Sequence, residues 1–275
     1  MNRIVGFIGL CKNVGKTTFL NRYIQNKENY LITSIGWDGE AIDHIFGIKK
    51  PSIVVKKGNL ICTYSKLSPS KSAKLFSLPI ENPFLGKLEI YQMIEDDVVQ
   101  LAGPSSVRQF QIFLEFVQKN TSGIQEIIVD GAADRRIALS FSNEVFFIIG
   151  PTFSQNPQKI IKTILGIIKM FHIPMVTNSF EKSEIVLLNS LNKSNTSELD
   201  KSKTYVLQNL GKIIIEYEYI PQILKDYKII VEKKPDKYWI VLNSFNAELM
   251  QRTLDTKKII AEIQKISTVE NILEM

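Results

Sequence analysis

The chain has 275 residues, of which 44% are hydrophobic and 23% are charged, and its formal net charge is +6 at pH 7. This composition is typical of a globular protein and excludes a disordered, collagen-like or disulfide-scaffold chain. The apolar runs fall short of the ~20 residues that cross a bilayer, and the first predicted strand starts so early that we expect no signal peptide. With only two cysteines, Cys11 and Cys62, we expect a cytoplasmic protein of one or two domains and no membrane segment.

The positive charge is unevenly distributed along the chain. Residues 181–275 carry 14 basic and 14 acidic side chains, so the whole excess lies in residues 1–180. The stretch 44–80, here called the lysine segment, has no acidic residue and seven lysines: Lys49, Lys50, Lys56, Lys57, Lys66, Lys71 and Lys74. Only six arginines occur in the chain, without aromatic interleaving, which argues against a nucleic-acid partner. The lysine segment is either a solvated surface or a docking face for an acidic partner or anionic ligand.

The first half of the chain alternates between predicted strands and helices. In chain order we predict a strand at 4–8, a helix from about Thr17, a strand at 30–35, a hairpin over 52–63, a loop over 65–85, extended chain over 88–102 and a helix from about 104–106. The hairpin is expected to turn at 57–59, and the extended stretch has a second candidate hairpin turn at 95–97.

The second half continues the alternation. We predict strands at 127–129 and 145–149, a helix from 157 to 171, strands at 184–189, 204–208, 212–219, 228–233 and 238–242, and a helix over 247–266. Short, continuously apolar strands are typical of a parallel sheet that is covered on both faces. The sequence therefore predicts an α/β fold with a doubly wound, mostly parallel sheet. We expect a nucleotide-binding core over 1–180 and a C-terminal α/β part over 181–275 that completes the sheet or forms a small lobe.

Residues 9–18, with the sequence GLCKNVGKTT, lie between the first predicted strand and the first predicted helix. Gly15, Lys16 and Thr17 match the end of a phosphate-binding loop, in which N–H groups and the helix start point at phosphate. In that pattern Lys16 bridges the β- and γ-phosphates and acts in catalysis, and the Thr17 hydroxyl binds Mg²⁺. The expected nucleotide contacts are Lys12, Asn13, Val14, Gly15, Lys16, Thr17 and Thr18.

The spacing of this loop departs from the strict pattern, because five residues rather than four separate Gly9 from Gly15. It resembles the loop of dethiobiotin synthetase and its relatives, a branch of P-loop proteins that also includes partitioning ATPases and metallocentre-assembly GTPases. The resemblance implies an acidic residue at the end of the second core strand and another at the end of the Walker B strand.

Two carboxylates stand where the resemblance requires them. Asp130 follows the apolar run Ile127–Val129 and is expected to hold Mg²⁺ through water. Asp38 follows the predicted strand at 30–35 and is expected to position Mg²⁺ or the attacking water. The alternatives are a strand-end cap for Asp130 and a polar turn for Asp38.

Residues near these carboxylates bear on catalysis and on the choice of base. Arg135, with the neighbouring Arg136, is expected to stabilise charge on the phosphates, in cis or across a homodimer, unless the pair forms surface ion pairs. The segment 192–195 begins like a guanine-binding box but lacks the aspartate that holds the base. ATP is therefore the expected nucleotide, with GTP as the alternative.

A narrower resemblance involves the segments 9–20, 33–43, 50–51 and 129–136. Together they are similar to P-loop proteins linked to adenosylcobalamin-dependent aminomutases of the lysine 5,6-aminomutase type. The resemblance covers roughly the first 150 residues and implies an NTP-driven helper that reactivates such a mutase. Cobalt ligation by His44 is not expected, because Asp43 and His44 are adjacent, whereas the cobalamin-binding motif needs one residue between them.

Three functions therefore remain open. The first is a slow nucleoside triphosphatase that works as a helper of a cobalamin-dependent aminomutase. The second is an ATP-dependent small-molecule synthetase or kinase resembling dethiobiotin synthetase, although the Lys-Pro of that enzyme is replaced by Ile35-Gly36. The third is a non-catalytic nucleotide-binding module.

Overall fold

The computed structural model describes residues 2–36, 42–43, 48–49, 52–131, 136–176, 185–246, 252–266 and 271–275. The helices in this part of the chain are α1 (Lys16–Ile24), α2 (Val107–Asn120), α3 (Ile137–Phe141), α4 (Pro157–Phe171), α5 (Lys193–Thr196), α6 (Ile220–Asp226) and α7 (Thr256–Ile266). Short 3-10 turns cover Ser65–Leu67, Leu210–Lys212 and Tyr217–Tyr219.

The strands are numbered in chain order. The first ten are β1 (Arg3–Gly9), β2 (Tyr30–Ser34), β3 (Ile42–Asp43), β4 (Ile48–Lys49), β5 (Ile53–Val55), β6 (Leu60–Tyr64), β7 (Ser72–Asn82), β8 (Gly86–Met93), β9 (Asp97–Val99) and β10 (Glu126–Gly131). The others are β11 (Glu144–Ile149), β12 (Ile185–Leu188), β13 (Leu191–Asn192), β14 (Thr204–Asn209), β15 (Ile213–Ile214), β16 (Lys228–Lys233), β17 (Lys237–Leu242), β18 (Phe245–Asn246), β19 (Arg252–Thr253) and β20 (Ile272–Glu274).

Nine strands form one sheet in the order β20-β17-β11-β1-β10-β2-β6-β8-β7. Neighbours are parallel from β20 to β6, and β8 and β7 are added antiparallel at one edge. A second, parallel sheet has the order β12-β14-β16. The predicted α/β class with a large, mostly parallel sheet is therefore confirmed.

Both faces of the large sheet are buried, as its continuously apolar strands predict. In β1 the side chains alternate between faces, with Ile4 and Ile8 in one core cluster and Val5 and Phe7 in the other. Helix α1 covers the Val5 face, whereas buried residues of α2, α3, α4 and α7 belong to the opposite cluster. The starts of two long helices also agree with the sequence. Ser106 caps α2, and Asn156, followed by proline, caps α4.

The predicted hairpin over 52–63 is wrong. Its two strands do not pair with each other: β5 pairs with β9, and β6 lies in the large sheet between β2 and β8. The predicted hairpin turning at 95–97 is wrong for the same reason, because β8 and β9 belong to different sheets. The choice of partner follows from burial, since all of β6 beyond its first residue is buried and fits a place inside the sheet.

The predicted loop over 65–85 is also wrong, because it contains β7, an edge strand of 11 residues. Strands β7 and β8 form a hairpin whose turn is closed by Asn82, which accepts hydrogen bonds from the N–H groups of Phe84 and Leu85. Gly86 ends this turn with φ 83°. Burial alternates clearly only in the second half of β7, where Leu78 and Ile80 are buried and the residues between and beside them are exposed, so the pattern typical of a strand is short.

The C-terminal part departs from prediction at two places. The expected strand over 212–219 shortens to β15 and a 3-10 turn. Of the expected helix over 247–266, residues 247–251 lie outside the described residues, residues 252–253 form β19, and α7 begins at Thr256. Strands β17 and β20 lie in the large sheet, whereas β12, β14 and β16 form the separate one. The division of the chain at residue 180 stays a prediction. Within the described residues, none of the helices has the length and apolarity needed to span a membrane.

Candidate functional site

The candidate site lies at the carboxyl ends of the central strands of the large sheet. Strands β10, β1, β11 and β17 are adjacent and parallel, so the residues that follow them meet at the same edge. The chain leaves β1 at Gly9, forms a loop over 10–15 and enters α1 at Lys16. This strand–loop–helix unit is the one that the sequence predicts for residues 9–18.

The loop turns sharply before the helix. Asn13 has φ 60° and Gly15 has φ 93°, so two of its residues adopt the left-handed conformation. The side chain of Val14 is buried in the core between them. Gly15 is the N-cap of α1, which has no side-chain cap. Because the first N–H groups of a helix have no partner within it, this helix start is suited to binding an anion.

Lys16 and Asp130 form an ion pair across the end of the sheet. Lys16 begins α1, whereas Asp130 lies near the end of β10, directly opposite Phe7 of the neighbouring strand β1. The exposed fractions of the two side chains are 14% and 11%. A nearly buried pair of this kind lies in a medium of low effective dielectric, where opposite charges interact more strongly than they do in water.

The other residues of the loop have different surroundings. The Lys12 and Thr18 side chains are exposed, and Thr17 is half-buried. The main-chain oxygen of Lys12 accepts hydrogen bonds from the Thr152 hydroxyl and the Cys11 thiol, at 3.2 and 3.3 Å. These contacts join the loop to the chain that follows β11.

Two oxygen donors in the site have the chemistry that Mg²⁺ prefers. The Thr17 hydroxyl makes no hydrogen bond with a described residue, and one oxygen of the Asp130 carboxylate is left over by the pair with Lys16. Among the described residues, no group of three His, Cys, Asp or Glu side chains could hold a metal by itself. Mg²⁺ is usually bound in proteins through one or two protein oxygens together with substrate phosphates and water.

Two predicted site residues, Asp38 and Arg135, lie outside the described residues, and their roles stay predictions. The neighbouring Arg136 forms no ion pair with any described residue, although a surface ion pair was one of its alternatives. Its guanidinium donates hydrogen bonds to the main-chain oxygens of Ile213 and Ile215 and lies 4.3 Å from the centre of the Tyr217 ring. Arg136 therefore joins the segment 129–136, which contains Asp130, to the C-terminal part of the chain.

The segment 192–195, which begins like a guanine-binding box, has a local structural role. The Asn192 side chain accepts hydrogen bonds from the N–H groups of Ser194 and Asn195, and the Asn195 side chain binds the Asn192 N–H in return. This reciprocal pair is a capping box at the start of α5. The capping box accounts for both asparagines, so their presence does not require a bound guanine base.

The sequence prediction did not include Asn243, which contacts the loop over 10–15. Asn243 follows β17, and its side-chain amide donates a hydrogen bond to the main-chain oxygen of Val14 at 3.1 Å. A Cβ atom added to Gly15 would lie 2.4 Å from the same amide nitrogen, and one added to Gly150 would lie 2.7 Å from the Val14 oxygen. Asp130 was predicted as a site residue because it is a polar residue directly after an apolar strand. The same criterion applied to the strand at 238–242 would have predicted Asn243.

The lysine segment is less cationic in space than in sequence. Lys74 pairs with the buried Glu89 of β8 at 3.2 Å, and Lys71 pairs with Glu95 at 3.1 Å. Asp96 accepts a hydrogen bond from the main-chain N–H of Lys57. Acidic residues that come later in the sequence therefore lie among these lysines.

Comparisons with protein-family models, with curated proteins and with solved structures found no match to this chain.

Proposed function

We propose that this chain is a P-loop nucleoside triphosphatase with a doubly wound core. The observation that carries the proposal is the pair formed by Lys16, at the start of the helix after β1, and Asp130, at the end of the adjacent strand β10. A lysine on a loop–helix unit and a carboxylate on the neighbouring parallel strand are the two charges that a nucleotide–Mg²⁺ complex requires. When no nucleotide is bound, these two charges neutralise each other.

Nucleotide binding would rearrange this pair. The Lys16 ammonium would move from Asp130 to the β- and γ-phosphates, and the first N–H groups of α1 would bind phosphate oxygens. Asp130 and the Thr17 hydroxyl would then be available to the Mg²⁺ that accompanies the nucleotide, which supplies positive charge to the phosphates. Asp38 is proposed to orient the attacking water, and Arg135 to offset charge that develops on the phosphates.

The arrangement of strands and helices supports the doubly wound core. The chain passes from β1 through α1, on one face, to β2, and it passes through α2, on the other face, before β10 enters the sheet between these two strands. Ligands of open α/β sheets bind at the carboxyl ends of the strands where the order of connections reverses. Lys16 and Asp130 lie at those ends.

The physiological role that we propose is that of an NTP-driven helper of another enzyme in the cytoplasm. The proposed partner is a cobalamin-dependent aminomutase, and this proposal rests on the resemblance of segments 9–20, 33–43, 50–51 and 129–136 alone. ATP is the proposed nucleotide, because the guanine-box candidate at 192–195 is a helix cap.

The test of the enzymatic proposal is Mg²⁺-dependent phosphate release from ATP and GTP by the purified chain. We expect Lys16→Ala and Asp130→Asn each to lower the rate by at least ~100-fold, because both charges act on the phosphates. The matched control is Lys27→Ala, which breaks a lysine pair with Glu126 at the opposite end of β10. Equal rates in all four proteins would show that the activity does not belong to this site. Nucleotide binding without any phosphate release would leave a non-catalytic module.

The helper role has a separate test. The chain and a lysine 5,6-aminomutase would be mixed and purified together with ATP, with GTP and without nucleotide, and we expect the nucleotide to change the amount retained. Hydrogen exchange of residues 37–80 should change with the same nucleotide. If neither changes, the helper role is wrong. A metabolite that raises ATP consumption in proportion to a new product would instead identify a synthetase or kinase.

A further inference from the structure

A cavity of about 610 Å³ lies at the amino ends of β14 and β16, far from the phosphate loop. Its lining includes Thr204 and Lys228, the first residues of these two neighbouring strands, and His172, which follows α4. Helix α4 starts on the side of the loop and ends at the cavity, and its 15 residues span ~22 Å. Cavities of this volume commonly hold small molecules.

The charge of the lining is strongly positive. Its charged residues other than histidine are Lys169, Lys201, Lys225, Lys228 and Asp226. Lys201 pairs with Asp226 at 3.6 Å, and Lys169 and Lys225 belong to the last turns of α4 and α6, where a cation offsets the helix dipole. Lys228 is on a strand, and it forms no ion pair with any described residue. Its side chain is exposed, so its ammonium group is accessible to an anion in the cavity.

Part of the cavity lining is apolar. Ile173, Ile229 and Ile230 are buried residues of this part. Thr204 is only 8% exposed, yet its hydroxyl makes no hydrogen bond with a described residue. The hydroxyl oxygen itself is not buried, so a ligand in the cavity can reach it and form a hydrogen bond with it.

We propose that this cavity binds a small organic anion with an apolar body. The acidic group, a carboxylate or a phosphate ester, would contact the Lys228 ammonium and the Thr204 hydroxyl, and the apolar body would pack against Ile173 and Ile229. An ammonium and a hydroxyl together are suited to an oxyanion, and the apolar part of the lining selects organic anions over inorganic ones. The proposal is independent of nucleotide binding, since no residue of the phosphate loop lines the cavity.

The test is calorimetric titration of the full chain with phenylacetate and with phenyl phosphate. Benzyl alcohol supplies the ring without the charge, and inorganic phosphate supplies the charge without the ring. We expect at least one of the two organic anions to saturate a single site and both controls to bind at least ten-fold more weakly. The titrations are repeated with Lys16→Ala, because the phosphate loop is itself an anion site, and we expect unchanged affinity there.

Variants assign the binding to the cavity. Lys228→Gln and Thr204→Val should each weaken binding of the organic anion by about ten-fold, the loss of one charge-assisted or buried hydrogen bond. Lys119→Gln, which removes an exposed lysine of α2, is the matched control and should leave the affinity unchanged. The proposal is wrong if neither anion saturates, if Lys228→Gln and Thr204→Val bind as the unaltered chain does, or if Lys16→Ala abolishes binding.

Discussion

The side-chain amide of Asn243 donates a hydrogen bond to the main-chain oxygen of Val14. Asn243 is only 8% exposed and follows β17, a strand of the C-terminal part, whereas Val14 lies in the loop over 10–15, the proposed phosphate loop, near the start of the chain. The main-chain N–H of Asn243 also donates to Ile149 at the end of β11. The loop is therefore held in place by two strands that enter the sheet long after it in the sequence.

Asn243→Ala should loosen the phosphate loop. Loss of the hydrogen bond leaves the Val14 oxygen without this donor, which costs ~1–2 kcal/mol of the free energy of unfolding. We expect ATP to bind about ten-fold more weakly, because the N–H groups of the loop lose their fixed orientation. Denaturant unfolding and calorimetric ATP titration measure the two effects.

The control is Ser244→Ala, which removes the adjacent hydroxyl and its hydrogen bond to the main-chain oxygen of Met275. This variant should lose stability without losing ATP affinity. If Asn243→Ala behaves in the same way, Asn243 supports the sheet but does not position the loop.

Arg136→Gln should destabilise the chain by ~2–3 kcal/mol. The arginine donates to two main-chain oxygens and stacks on the Tyr217 ring, and glutamine can replace at most part of these contacts. The measurement is the midpoint of urea unfolding. Arg108→Gln, an exposed arginine of α2, is the control and should change stability by less than ~0.5 kcal/mol. Similar midpoints for both variants would contradict the structural role of Arg136.

Glu89 should stabilise the chain in a pH-dependent way. Burial raises the pKa of this carboxyl, but hydrogen bonds from Tyr91, Ser77 and Lys74 outweigh burial and hold the pKa below the ordinary value of 4.5. A folded-state pKa below the unfolded one adds stability that is complete above pH 4.5 and is lost as the pH falls through the folded value. Glu89→Gln should therefore cost ~1–2 kcal/mol at pH 7 and progressively less below pH 4.5.

Unfolding of both proteins by urea between pH 3 and pH 7 measures this difference. Glu81→Gln, at an exposed position of β7, is the control and should show no such trend. A constant difference between Glu89→Gln and the unaltered chain at every pH would rule out the ionised carboxylate as its source.

Alanine in a helix interior is more favourable than glycine by ~1 kcal/mol of helix propensity. Gly166→Ala should nevertheless destabilise the chain. A Cβ atom at position 166 would lie 1.8 Å from the main-chain oxygen of Tyr217, so α4 and the 3-10 turn could not approach each other as they do. We expect a net loss of at least ~2 kcal/mol by thermal unfolding. Lys162→Ala, at an exposed position of the same helix, is the control. A higher unfolding temperature for Gly166→Ala would contradict this close approach.

Local patterns were sufficient for the elements that surround the site. The apolar runs of β1, β10 and β11, the caps of α2 and α4 and the loop over 9–18 lie where the sequence predicts them. These features depend on neighbouring residues, since a cap or a buried strand is defined by a few consecutive side chains. The candidate pair of Lys16 and Asp130 follows from them, because parallel strands bring their carboxyl ends together.

Strand partners could not be predicted in the same way. Residues 53–55 and 60–64 are close in sequence and look like a hairpin, but the first segment pairs with β9 and the second pairs with β2 and β8. The surroundings of the lysine segment could not be predicted either. The fold places Glu89 and Glu95, which come later in the sequence, next to its lysines.

The sequence by itself determined the α/β class, the strand–loop–helix unit around residues 9–18 and the strand-end carboxylate Asp130, all of which are encoded within short windows. Only the tertiary structure decided that Asn243 holds the loop, that Arg136 joins the segment 129–136 to residues 213–217, and that Thr204 and Lys228 share a cavity. These contacts join residues that are 24 or more positions apart in the sequence. Their formation depends on the order of strands in the sheets, which non-local packing selects and which no local pattern records.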